Sequence, residues 1–436
     1  MDATSQALET ALAGVVAHTR PAGADDVVAG VQPRIVAEPT TEAEVAAVLR
    51  YANGEGLAVI PRGGGTHLLM GAPPRRADIV LSLARLNQII EYAPHDLTVT
   101  AQAGIPLAEL QRTLGESHQW LALDPPLDAA ATFGGLISTN VSGARRLRYG
   151  GVRDQIIGVR VALPDGTIAR GGGKVVKNVA GYDLPKLYTG ALGTLGVILS
   201  ASFRLYPLSL FSVTAPLTAE HLPALGAVVQ RILALPLTPT ALDIFSPESA
   251  GAPYLLAARF ESGVRASVDG QSAVVLGAQV AEGAQPQAAL SGDDDARFWS
   301  ERMASWQAPL ATGAAESVAI TIKASVPLTE VAGWLGELEA AQQDGALAAR
   351  WQAHAGHGII AARLAATPEV LATRVAALRR AATERRGSLV VTEQPPTLAA
   401  TLDPWGTVGA LEVMRRLKER FDPNGILNPG RFVGGI

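Results

Sequence analysis

The chain has 436 residues, 48% of them hydrophobic, and a formal net charge of −4. That supports two or three domains with buried cores, and no Lys/Arg block is long enough for a nucleic-acid surface. The absence of cysteine excludes disulfides, thiolate-bound zinc, a catalytic thiol and an iron–sulfur cluster carried by this chain. No apolar run approaches the ~18 residues of a membrane-spanning helix, and the N-terminus shows no signal-peptide pattern. A soluble, cytoplasmic protein is expected, with any membrane contact made through a partner.

Residues 1–30 read as an Ala-rich helix with a polar tail. Val31–Ala37 reads as a strand, and Thr41 with Glu44 as the capping box of a helix whose buried face is Val45, Val48 and Leu49. Leu57–Ile60 is a buried strand that runs into Pro61-Arg62-Gly63-Gly64-Gly65-Thr66-His67. Three glycines there permit backbone angles that other residues avoid, and such a turn can gather N–H groups into an anion nest. Strands follow at Ile79–Leu83 and Thr98–Ala101, then a helix from Pro106 to about Leu114. Thr132–Asn140 is a Gly-rich turn entering a short helix, with Ser138, Thr139 and Asn140 as hydrogen-bonding side chains. Ile156–Leu163 and Ile168–Arg170 form a hairpin about Pro164–Thr167, Asn178–Asp183 is a polar loop, and Val197–Tyr206 is the last strand of this part.

Beyond Pro207 the pattern changes. Residues 208–280 read as β-α-β-β-α-β with a final strand at Ala273–Leu276, residues 281–295 as a linker, and Ala296–Trp306 as a helix. A second β-α-β-β-α-β spans Ser317–Thr392. A helix from Leu411 to Phe421 precedes a Pro/Gly/Asn-rich tail expected to dock back on the body. The expected divisions are 1–30, 31–208, 209–400 and 401–436. The fold class is α+β, the third division being a ferredoxin-like cap of duplicated βαββαβ order.

The glycines match no Rossmann or Walker loop. Gly190, Gly193 and Gly196 precede a strand instead of a helix, and no Gly-Lys-Ser/Thr occurs. Instead, PRGGGTH (61–67), LDPP (123–126), TFGGLISTNVSG (132–143), YGGVRDQIIGVRVALPDG (149–166), KNVAGYDL (177–184), GALGTLGVI (190–198) and FDPNGILNPGR (421–431) resemble the vanillyl-alcohol oxidase / p-cresol methylhydroxylase family of FAD-binding proteins. Within that family the chain is most similar to the FAD-binding subunits of bacterial glycolate oxidases. The resemblance implies a two-lobed PCMH-type FAD-binding domain. It implies that Pro61 and Arg62 to His67 wrap the pyrophosphate. Pro125, Pro126, Thr132, Gly134, Gly135, Ser138, Thr139, Asn140 and Gly143 would border the dinucleotide, with Gly193, Gly196, Val197 and Asn428 near the adenine or flavin. It also implies two partners, a second FAD-containing flavoprotein and an iron–sulfur subunit, with peripheral placement at the inner face of the cell membrane through that complex. Thr66 stands where a covalently linking histidine would follow the glycines, so non-covalent FAD is expected.

Oxidation of a 2-hydroxy acid needs a cation for the carboxylate and a base for the hydroxyl. His354-Ala355-Gly356-His357 is a close histidine pair in the cap. It resembles the H-A-G-D-G-N-x-H metal motif of the family's dehydrogenases, but His357 replaces the aspartate and Ala361 the second histidine. Glu393 lacks the following histidine. No metal is therefore expected. His354 and His357 read as base and orienter, or as an exposed turn pair. Arg302 in Phe298-Trp299-x-x-Arg302 reads as a carboxylate partner, or as a surface ion pair covering an aromatic.

Three functions follow: a FAD-carrying subunit of a glycolate-oxidising complex that passes electrons to an iron–sulfur partner and a quinone-type acceptor; a stand-alone FAD-dependent D-2-hydroxyacid dehydrogenase of D-lactate type; or a structural subunit that has lost FAD. The intact glycine loops argue against the last.

Overall fold

The computed structural model describes residues 3–126, 129–173, 182–249, 251–277, 282–310 and 316–436. The polar loop read at Asn178–Asp183 falls largely outside them.

The N-terminal part contains two sheets. The first holds β1 (Thr19–Pro21), β2 (Ile35–Ala37), β3 (Val59–Arg62) and β4 (Ile79–Ser82) in the order β1-β2-β4-β3. β2, β4 and β3 are parallel. The helix Glu42–Glu55 makes the crossover from β2 to β3. Its capping box forms as the sequence predicts: Glu44 N–H donates to Thr41 Oγ1 at 3.1 Å, and Thr41 N–H donates to the Glu44 carboxylate at 3.2 Å. β1, a short antiparallel addition to β2, is not foreseen.

The second sheet is antiparallel. In chain order come β5 (Ile89–Ala93), β6 (Thr98–Gln102), the short β7 (Gln119–Trp120), β8 (Ile156–Ala162), β9 (Ile168–Gly172), β10 (Val197–Arg204) and β11 (Tyr206–Pro207). The sheet order is β5-β6-β10-β8-β9, and β7 pairs with β11 outside it. β5 escapes the sequence reading because it is a largely exposed edge strand with no inward apolar alternation. One core joins both sheets around Phe133, Phe203, Leu49 and Leu81.

The cap is a single nine-stranded sheet. Its strands are β12 (Phe211–Ala219), β13 (Ala241–Phe245), β14 (Tyr254–Ser262), β15 (Gln285–Pro286), β16 (Leu290–Ser291), β17 (Val318–Ser325), β18 (Ala348–His354), β19 (Ile359–Ala366) and β20 (Ser388–Glu393). The second β-α-β-β-α-β runs from β17 to β20 through the helices Val331–Ala340 and Pro368–Glu384. The first repeat ends differently. Ala273–Leu276, read as a strand, is the last turn of the helix Arg265–Leu276, which buries Val268, Ser272 and Val275 at helical spacing. The stretch read as a linker instead carries β15 and β16, which pair with β12, and the start of the helix Asp293–Gln307. Two-residue strands leave too short a pattern to read.

The tail docks on the first sheet. Val59 N–H donates to Ile426 O at 2.8 Å and Asn428 N–H to Val59 O at 3.0 Å, so residues 426–428 cover the free edge of β3. Lys418, on the helix Leu411–Phe421, fixes this joint. Its ammonium donates to Thr194 O at 2.9 Å, Leu427 O at 2.8 Å and the buried Asp422 carboxylate at 2.6 Å. Lys418→Ala removes the counter-charge of that carboxylate, which keeps only the N–H groups of Ile426 and Leu427, and takes this donor from both carbonyls. Urea denaturation should show a loss of about 3 kcal/mol, the usual cost of breaking a buried pair.

Candidate active site

The glycine loop, the helix Phe133–Thr139 and the segment before β10 enclose a cleft. Its walls include Pro61, Arg62, Gly63, Gly64, Gly65, Thr66, His67, Thr132, Gly134, Gly135, Ser138, Thr139, Gly193, Gly196, Val197 and Asn428. Leu192, Ile198 and Arg431, which lie in the quoted motifs but are not among the expected cofactor-binding residues, also line it. Pro126, Asn140 and Gly143 line the adjoining cavity instead. Pro125 lines neither, because it is packed into the interior behind them.

The loop glycines serve close approach more than backbone freedom. Only Gly65 of the three has a positive φ, 75°. A Cβ on Gly63 would lie 2.0 Å from Thr132 Oγ1, and one on Gly64 would lie 1.6 Å from Ala130 O. The loop is thus pressed backbone-first against the entrance of the helix Phe133–Thr139. That helix is capped by Thr132, whose Oγ1 accepts from Gly135 N–H at 3.4 Å. A Cβ on Gly134 would lie 2.6 Å from Ala103 Cβ.

A dinucleotide fits this cradle. Asn428 donates through Nδ2 to Leu192 O at 2.5 Å, while its buried Oδ1 has no donor. In the adjoining cavity Asn140 Oδ1 is likewise a buried acceptor without a donor among the described residues. Such groups are costly unless a ligand satisfies them. Arg62 is already committed: its guanidinium donates to Asp26 Oδ1 at 2.8 Å, and Arg20 holds the same carboxylate. With Arg20 foremost, these bonds keep the Asp26 carboxyl far below its ordinary value. What the loop could offer a diphosphate is therefore its backbone N–H groups, with the Thr66 and His67 side chains beside them.

The cleft opens into a cavity of about 480 Å³ between the N-terminal part and the cap, with Thr66, His67 and Thr139 in both walls. The cap sheet supplies its far wall by strand alternation. On β17, Ile320, Ile322 and Ala324 point into the cap core, leaving Thr321 and Lys323 on the opposite face. On β19, Ile360, Ala362 and Leu364 are in the core, and Ala361 and Arg363 face the cavity. Register then sets Lys323, Ala361 and Gln352 of β18 side by side across three strands.

His354 ends β18 on this wall. Its Nδ1 bonds both carboxylate oxygens of Asp243, on β13, at 3.0 Å, and Gln352 Nε2 donates to the same carboxylate at 2.7 Å. Burial alone would lower the His354 imidazole, but Asp243 outweighs it and the net shift is upward. His354 is 7% exposed, so the exposed-turn alternative is corrected for this residue. His357 does not reach the cavity wall. The tight turn through Gly358 folds it behind His354, where the rings stack at 5.2 Å. Burial, with the neighbouring His354 charge, pushes His357 down to about 3. Asp124, across the cavity, is pushed up to about 6 by burial, against the pull of Arg145.

Arg302 lies in the cavity wall, ion-paired to Glu248 and set over Phe245 and Phe298. This is the second sequence reading, an ion pair covering an aromatic. Arg363 is committed to the carbonyls of Trp306, Gln307 and Ala308 at 2.8–3.1 Å. Lys323 and Arg146 are different. Neither has a carboxylate ion-pair partner among the described residues; desolvation by the surrounding protein, then Arg146, lower the Lys323 ammonium, although the side chain keeps contact with solvent. The sequence reading missed both. The alternation of Ile320, Ile322 and Ala324 was the signal that sets Lys323 on the other face. Among the described residues no group of three or more His, Cys, Asp or Glu is arranged to hold a metal ion.

The glycine contacts generate a direct test. Gly64→Ala drives a methyl into Ala130 O and must displace the loop. The purified variant should carry at least about tenfold less flavin per chain than the parent, as expected for overpacking of 1–3 kcal/mol. The ratio of flavin to protein absorbance measures it.

Comparison with known proteins agrees with the geometry. The FAD binding domain model matches residues 33–172, and the model of the C-terminal domain of FAD linked oxidases matches 227–389 and 405–432. Glycolate oxidase subunit GlcD of Bacillus subtilis is 35% identical over 211 residues, 48% of this chain and 45% of that protein. D-2-hydroxyglutarate dehydrogenase of Xanthomonas citri is 38% identical over 173 residues, 40% of this chain and 37% of that protein. The chain thus matches less than half the length of these two relatives. D-lactate dehydrogenase of Archaeoglobus fulgidus is 29% identical over 428 residues, 92% of this chain and 91% of that protein. Among solved structures, 4-ethylphenol oxidase from Gulosibacter chungangensis superposes with a TM-score of 0.75 at 16% identity, covering 99% of this chain and 97% of that one. At that identity the likeness concerns the fold. With a PCMH-type FAD-binding domain carrying the cleft and an oxidase C-terminal domain walling the cavity, the chain belongs to the FAD-linked oxidase family and is a flavoprotein.

Proposed function

We propose that this flavoprotein oxidises a small 2-hydroxy acid, glycolate to glyoxylate, in the cavity between its domains. The observation that carries the reading is His354, held by Asp243 on a wall continuous with the cofactor cleft. FAD, when bound, supplies the acceptor for the substrate's two electrons. Nδ1–H of His354 donates to Asp243, which fixes the tautomer and leaves Nε2 as the acceptor for the hydroxyl proton. The cap closes the cavity around the substrate and limits water. Asp124 and Arg146 face His354 from the N-terminal part, and His357 stacks behind it.

The proposed setting is a complex. Similarity to a glycolate oxidase subunit supports it, and the absence of cysteine requires that any iron–sulfur relay to a quinone-type acceptor sit on a partner. A second flavoprotein subunit belongs to the same proposal. The alternative, a stand-alone D-lactate dehydrogenase, is favoured by the similarity along 91% of the Archaeoglobus protein. FAD is proposed to be non-covalent, since His67 Nδ1 is paired with Thr66 Oγ1 at 3.1 Å.

Anaerobic addition of glycolate to the purified chain decides the activity. Bleaching of the flavin band supports oxidation in this cavity, and a band unchanged by glycolate and D-lactate, with or without co-purified partners, overturns it. Bleaching by D-lactate alone selects the second reading. Acid precipitation should leave the yellow colour in the supernatant.

His354→Asn should slow flavin reduction by about 10²–10⁴-fold, the usual worth of a general base. Because its folded pKa is raised above the ordinary 6.5, the base is neutral only at higher pH, and the rate should rise with pH through that raised value. Asp243→Asn removes the raising charge, so the acid limb of the profile should move to lower pH while the maximum rate falls.

A further inference from the structure

We propose that Lys323 and Arg146 together form a carboxylate subsite that works without a metal ion. Four cationic side chains of Lys and Arg line the cavity. Two are spoken for, Arg302 by Glu248 and Arg363 by backbone carbonyls. Lys323 and Arg146 make no ion pair among the described residues, and both line a cavity whose carboxylates, Asp124 and Glu393, are bonded to Arg145 N–H and Thr321 Oγ1. Arg146 makes one side-chain hydrogen bond, to Ser142 Oγ at 3.3 Å.

Two like charges facing one cavity repel each other, and an anion between them removes that repulsion. The chemistry of the pair suits a carboxylate: Arg146 offers a planar fork, and Lys323 a compact point charge on a flexible stem. Space is provided by Ala361, directly paired with Lys323 across the strands, where only a methyl stands. Gln352, on the far side of Ala361, is tied to Asp243. The carboxylate would therefore lie on the same wall as His354, two strands away from β18. Because Lys323 belongs to the cap and Arg146 to the N-terminal part, binding would also clamp the two together. The inference deepens the proposed function and takes from it only the identity of the anion as a hydroxy acid's carboxylate.

Oxalate, which cannot be oxidised at a carbinol carbon, is the probe. FAD-loaded protein is titrated with oxalate by flavin difference absorbance and calorimetry, with and without EDTA, and its melting temperature is followed. The parent should bind oxalate and melt higher in its presence. Lys323→Gln and Arg146→Gln should each weaken binding by about tenfold or more, as for lost charge-assisted hydrogen bonds, with flavin content retained. Lys323→Arg should recover most of the affinity, and EDTA should change nothing. Failure of the parent to bind oxalate, equal affinity in Lys323→Gln, loss of binding in EDTA, or tighter binding of inorganic phosphate than of oxalate would each overturn the subsite. Oxalate binding that depends on Lys323, in a protein whose flavin glycolate and D-lactate never bleach, would support the subsite while rejecting the proposed oxidation.

Discussion

The whole arrangement rests on one contact between two stretches of backbone. The glycine loop lies so close to Ala130 and Thr132 that neither Gly63 nor Gly64 has room for a single added carbon. This contact joins the first sheet, through β3, to the second, through the helix that packs beneath β10. Packing at that distance makes the cleft narrow, lined by main chain, and rich in N–H groups in place of charged side chains. The nearest strong cation, Arg62, is turned away by Asp26. Arg431, the other cation in the cleft wall, is held by the carbonyls of Leu68 and Met70.

The cavity depends on a different constraint, the two-residue period of the cap strands. Apolar residues on one face fill the cap core, so the intervening residues face either the N-terminal part or the cap's own helix Asp293–Gln307. A register shift by one residue would send Lys323, Ala361 and His354 into the core together. Electrostatics then hold the two parts in place. Arg145 forms a bidentate pair with Glu261 of the cap, at 2.6 Å and 3.0 Å, while its own backbone N–H caps Asp124. Arg259 and Asp295 extend the network to Trp299 through Thr214.

Local signals were readable and long-range ones were not. Thr41 with Glu44, and the helix Leu411–Phe421, follow from neighbours in sequence and stand as read. The glycine segments were also legible, because close approach leaves no room for a Cβ at Gly63, Gly64, Gly134 and Gly143. β5 and the pair β15 and β16 were lost because they are exposed or too short to show a period. The Asp243–His354 bond joins positions 111 residues apart. Nothing in either local sequence announces it. The meaning of His357 depended on which way a single turn folds. The unpaired state of Lys323 could be seen only once its neighbours across the strands were known.

The tail at residues 426–428 has a consequence for the order of assembly. It seals the edge of β3, the strand that leads into the glycine loop, and contributes Asn428 to the cleft. The whole cap lies between these two pieces in the chain. During synthesis the first sheet therefore waits, with an open edge and an incomplete cleft, until the ribosome has released more than 350 later residues (from 62 to 428). A cofactor that needs both walls can be captured only after the cap has been made, so the cap's synthesis precedes cofactor retention.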